Sequence, residues 1–171
     1  MIGRKGQTQS MMDAIRAKKP AFITVSDRSS VGKTYLIEQV FKDYICFRPT
    51  GIQNHGIAAQ LKNFTTRLAE HSNSPFVTQP ANWQDAFIQL RAYLNTLPKN
   101  KKQVIFIDEL PWVQTFRSGF LQLLAHLWND YLSKEPHFIL VVCSSATSWI
   151  TKNILNYKGG LHNRVTETIT L

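Results

Sequence analysis

The chain has 171 residues, 43% hydrophobic and 18% charged, with a net charge of +9. That balance is globular rather than disordered, and the length suits one domain that folds without disulfide staples. Apolar runs such as Phe138 to Cys143 are strand-sized, far short of the roughly 20 residues of a bilayer span, and the N-terminus lacks the apolar core of a secretory leader, so a cytoplasmic protein with no membrane part is expected.

Helical and strand-like stretches alternate, which predicts an α/β domain with a mainly parallel sheet. A short helix over Gln9–Ala17 precedes the β-branched strand Ala21–Val25. Lys33–Asp43 carries Leu36, Ile37, Val40 and Phe41 at helical spacing, and Tyr44–Phe47 reads as a second strand. Two helices follow, over Asn54–Glu70 and Asn82–Leu97, separated by a loop at Ser72–Pro75 and Pro80. After the break Pro98–Lys102 comes Val104–Ile107, continuously apolar as a strand buried on both faces should be. A helix over Ser118–Leu132, a strand over Phe138–Cys143, a short helix over Ser148–Leu155, a turn at Gly159-Gly160 and a last strand over Glu167–Leu171 complete the order.

Cys46 and Cys143 fall in apolar strands, where thiols pack as small hydrophobes, and no Cys/His spacing fits a zinc site. Basic residues gather at Arg4-Lys5, Arg16–Lys19 and Lys99–Lys102, without the interleaved aromatics of a single-strand-binding surface. The charge fits either a site for polyphosphate or a nucleic-acid partner.

The densest chemistry lies between the first strand and the next helix. Asp27-Arg28-Ser29-Ser30-Val31-Gly32-Lys33-Thr34 sits in the strand-to-helix context that the pattern GxxxxGK[ST] requires, with Asp27 in place of its first glycine. Backbone N–H groups at such a turn point at an anion, aided by the helix N-terminus. Lys33 would then reach the β- and γ-phosphates and the Thr34 hydroxyl would ligate magnesium, so ATP and Mg2+ are the expected ligands. The nucleotide-binding set runs Ser30, Val31, Gly32, Lys33, Thr34 and Tyr35. Asp108-Glu109, directly after the apolar strand, supplies a carboxylate for the magnesium shell (Asp108) and one to orient or deprotonate water (Glu109). Ser144 and Ser145, after the Phe138–Cys143 strand, are candidates to hydrogen-bond the γ-phosphate or the attacking water. Arg164 is a candidate contact to a phosphate or to the nucleotide of a neighbouring subunit. No Asn-Lys-x-Asp segment follows, so guanine is not the expected base.

Taken together, Ile2-Gly3-Arg4, Val31-Gly32-Lys33-Thr34, Asn82-Trp83, Phe106–Trp112, Ser118-Gly119-Phe120, Ser145–Trp149 and Gly159–Arg164 resemble the bacterial and archaeal AAA-type ATPases of the P-loop superfamily. The resemblance covers nearly the whole chain. It implies a three-layer P-loop NTPase sandwich with a five-stranded parallel sheet ordered 5-1-4-3-2, with Ile2, Gly3 and Arg4 near the adenine and Ser145 as a sensor. It also implies a winged-helix or nuclease-like C-terminal part beyond this chain, through which DNA or a protein partner would be engaged, and assembly with further copies. Asp27 departs from the family loop and is expected to weaken ATP binding and slow hydrolysis. Two other functions fit these residues: a nucleotide switch that does not hydrolyse, and a nucleic-acid-binding module.

Overall fold

The computed structural model describes residues 5–27, 32–74, 78–114, 119–155 and 160–171. Its apolar runs form one sheet of strands β1 (Ala21–Ser26), β2 (Ile45–Phe47), β3 (Gln103–Ile107), β4 (Phe138–Ser144) and β5 (Glu167–Thr170). All pairs are parallel and the order is β2-β3-β4-β1-β5, which is the expected 5-1-4-3-2 read from the other edge. The protein is thus an α/β domain with a five-stranded parallel sheet, as predicted.

Side chains of the central strands alternate between two cores, because successive residues of a strand point to opposite faces. Ile105, Ile107, Phe138, Leu140 and Val142 enter one core, while Val104, Phe106, Ile139, Val141 and Cys143 enter the other. The second core is closed by α1 (Lys5–Arg16) and α2 (Lys33–Phe41) through Met11, Leu36, Ile37 and Phe41. The first is closed by α3 (Ile57–Ser72), α4 (Trp83–Leu94) and α6 (Phe120–Asp130), with the four-residue helix α5 (Leu110–Val113) between β3 and α6. On that side Trp83 meets Phe64 and Phe120 edge to face at centroid distances of 5.1 and 4.8 Å, which locks three helices into one layer. Each such pair contributes about 0.5–1.5 kcal/mol beyond its buried area. The N-terminus of α4 is capped by Asn82, whose Oδ1 accepts the Asp85 N–H at 2.8 Å.

Some boundaries differ from the predicted ones. Helix α1 begins at Lys5 rather than Gln9, because Gly6 and polar neighbours hide its first turn from an apolar-spacing argument. Helix α5 escapes that argument too, since Pro111 reads as a breaker yet is tolerated in a first turn that needs no N–H. Leu132 leaves the helix for a 3-10 turn over Leu132–Lys134 and is still fully buried. The helix expected near Ser148–Leu155 is a short α7 (Thr147–Ile150) running into a π-turn over Thr151–Leu155. Both cysteines are buried, and burial pushes the Cys46 thiol up to about 12. Among the described residues no helix is long and apolar enough to cross a membrane.

Candidate functional site

The registers Ser26↔Ser144 and Ile107↔Val142 bring the C-terminal ends of β1, β3 and β4 to one edge of the sheet. Ligands of open α/β sheets bind at such an edge. Gly32 turns the chain into α2 with φ 88° and ψ −18°, a left-handed conformation that an L side chain rarely adopts. Lys33 follows as the first helical residue and is fully buried. Its Nζ lies 3.7 Å from Glu109 Oε1. Thr34 Oγ1 donates to Asp108 Oδ2 at 3.2 Å, so the two expected magnesium ligands are side by side.

Asp108 is held by backbone pairing that prolongs the β2–β3 ladder. Its N–H donates to Pro49 O, and its own carbonyl accepts the Gly51 N–H, both at 3.0 Å. The next residue, Glu109, adopts φ 52° and ψ 49°, strained for a residue with a β-carbon. That kink lets the chain leave β3 and enter α5 at once. Glu109 Oε2 accepts the Ser145 hydroxyl at 3.3 Å, so Ser145 orients the carboxylate while Lys33 faces its other oxygen. Ser144 instead closes its own turn, with Oγ accepting the Ala146 N–H at 2.9 Å.

Gly51 lies against the Glu109 kink. A β-carbon there would sit 2.4 Å from the Glu109 carbonyl oxygen and 2.9 Å from the Val113 nitrogen, both main-chain atoms with little freedom to yield. Gly51→Ala is therefore expected to destabilise the fold by about 1–3 kcal/mol and to displace the Glu109 carboxylate. A thermal melt beside a phosphate-release assay checks both effects, and an unchanged melting temperature would contradict the contact.

Sequence reasoning missed Arg48. Its guanidinium pairs with Glu38 on α2, comes within 3.7 Å of Asp108 Oδ2 and lies over the Phe106 ring with Cζ 5.3 Å from the centroid. A lone basic residue just past the second strand was the available signal, since the order implied by the resemblance puts that strand beside the Asp108 strand. Asp27 is buried at the end of β1 with its N–H on Ser144 O at 3.3 Å. Burial, and next the charge of Asp108, hold the Cys143 thiol above its usual range, which keeps it out of nucleophilic chemistry.

Other expected residues lie apart. Tyr35 is exposed and lines a groove of about 920 Å3 between α1 and α2, together with Lys5, Thr8, Gln9 and Gln39. Ile2, Gly3, Arg4, Ser30 and Val31 lie outside the described residues. Arg164 is exposed, and two residues later Thr166 bonds to Phe22 near the start of β1. Arg164 thus belongs to the opposite edge of the sheet, and the structure does not bring it to the Lys33 cluster of its own chain.

The polar set fits a metal-bound polyphosphate. Among the described residues neither Lys33 Nζ nor Asp108 Oδ1 finds a hydrogen-bond partner, although both are buried. A buried ammonium or carboxylate oxygen that makes no hydrogen bond is costly unless a ligand satisfies it.

The fold is shared with a solved Walker-type ATPase and with solved ORC proteins. Among solved structures the chain is similar to Aeropyrum pernix ORC1 in complex with DNA, at TM-score 0.69 and 14% identity over 99% of this chain and 45% of that one. It is also similar to the Walker-type ATPase PABY2304 of Pyrococcus abyssi, at TM-score 0.65 and 12% identity over 99% of this chain and 53% of that one. A third is Aeropyrum pernix ORC2 in its ADPNP-ADP complexes, at TM-score 0.62 and 12% identity over 100% of this chain and 48% of that one. The chain spans about half the length of these structures. No family model and no curated protein matches the sequence.

Proposed function

We propose that this chain is the ATP-binding core of an AAA-type ATPase that hydrolyses ATP with magnesium to drive a conformational change. The observation that carries the reading is the buried Lys33 ammonium, without a hydrogen-bond partner among the described residues, set beside Thr34, Asp108 and Glu109 at one sheet edge. The structural resemblance to a Walker-type ATPase and to a protein solved with ADPNP and ADP supports it.

In this reading Lys33 leaves Glu109 for the β- and γ-phosphates, and Thr34 and Asp108 would hold a magnesium ion, which would neutralise phosphate charge. Ser145 keeps the freed Glu109 aimed at a water, and Glu109 accepts a proton as the water oxygen attacks the γ-phosphorus. The bond to the bridging oxygen breaks and ADP leaves with its electron pair. The groove at Tyr35, next to the start of α1, takes the adenine. Arg164, remote from its own site, is assigned to the nucleotide of a second copy. A DNA or protein partner is engaged through a region beyond this chain.

Isothermal titration with Mg-ATP tests the reading. The parent chain should bind weakly, and Asp27→Gly should bind about tenfold more tightly, on the order of 1.4 kcal/mol, by removing a carboxylate from the base of the loop. No heat of binding in either protein sinks the proposal.

A further inference from the structure

Two of the basic runs, Arg16–Lys19 and Lys99–Lys102, are 80 residues apart in sequence yet meet in the fold. They lead into β1 and β3 and so lie where the strands start, at the opposite edge from Lys33. Lys102 ties them together, its Nζ donating to Lys19 O at 2.9 Å and to Pro136 O at 2.7 Å. Between them runs a cleft of about 580 Å3 lined by Arg16, Lys18, Lys99, Lys101, Lys102 and Tyr44, with no carboxylate in its lining. Glu135 stands nearby, 3.9 Å from Lys99 Nζ, so it offsets one of the five cations. The aromatic that the basic runs lack arrives from the start of β2, where the Tyr44 ring lies 5.6 Å from Lys101 Nζ.

We propose that this cleft is a binding site for single-stranded nucleic acid, separate from the nucleotide site. Like charges gathered at one surface repel one another, and a line of phosphates relieves that repulsion while releasing its own counterions. Tyr44 is half-buried, and its exposed part beside Lys101 gives an unpaired base an aromatic contact that the already stacked bases of a duplex do not make. Four of the lining cations, Arg16, Lys18, Lys99 and Lys101, are exposed, so their charges lie within reach of an extended strand.

The test is fluorescence anisotropy of the intact chain with labelled dT20, without nucleotide, across a salt series. The expected slope of log K against log salt is about −0.7 for each phosphate contacted, or roughly −3 for four to five contacts. The double variant Lys18→Gln/Lys101→Gln should lose about tenfold in affinity at low salt and flatten the slope by about 1.4. The control pair Lys62→Gln/Lys152→Gln removes the same charge from exposed positions on α3 and in the π-turn, and should leave both quantities nearly unchanged. An equal loss in the control pair would show attraction by net charge alone and overturn the proposal. So would absent binding, tighter binding of a duplex of the same length, or poly-glutamate competing as well as dT20 per charge. None of these outcomes depends on whether the Lys33 site binds ATP.

Discussion

Lys33→Met is expected to lower Mg-ATP affinity by about 100-fold, or roughly 2.7 kcal/mol. The ammonium is fully buried, and among the described residues it has no hydrogen-bond partner and one carboxylate oxygen at 3.7 Å. A charged contact in such a place is worth more than one at the surface, because water neither screens it nor replaces it. Methionine keeps the unbranched apolar stem and removes the charged end, so the comparison bears on the phosphate contact more than on packing. Titration of both proteins with Mg-ATP gives the answer. Equal affinities would mean that Lys33 does not face phosphate.

Glu109→Gln is expected to leave nucleotide affinity within a few-fold and to cut the hydrolysis rate by about 10²–10⁴, the usual contribution of a positioned general base. The amide preserves the shape of the side chain and one oxygen for the Ser145 hydroxyl, but it does not take the proton from water. Two measurements on the same protein separate the steps: titration for binding and phosphate release for turnover. If parent and variant release phosphate at the same background rate while both bind ATP, the chain is a nucleotide switch rather than an enzyme.

Much of the fold was legible because its signals are local. The run Val104–Ile107 is apolar at every position, as a strand covered on both faces must be, and it proves to be a central strand. The 3.6-residue spacing of Leu36, Ile37 and Phe41 likewise places α2 against the sheet. Weak elements were less legible. Helix α5 is one turn long, so periodicity has nothing to repeat, and its existence depends on the left-handed turn at Glu109.

The sequence by itself determined the alternation of strands and helices, the Gly-Lys-Thr turn after β1 and the Asp-Glu pair after β3, since each is a matter of residue type and spacing along the chain. Tertiary structure alone decided which groups meet. The approach of Arg48 to Asp108, the wedge of Gly51 under Glu109 and the remoteness of Arg164 depend on which strands are neighbours and at which end of the sheet each loop emerges. Parallel pairing across long crossovers sets those distances, and no local pattern of side chains encodes them.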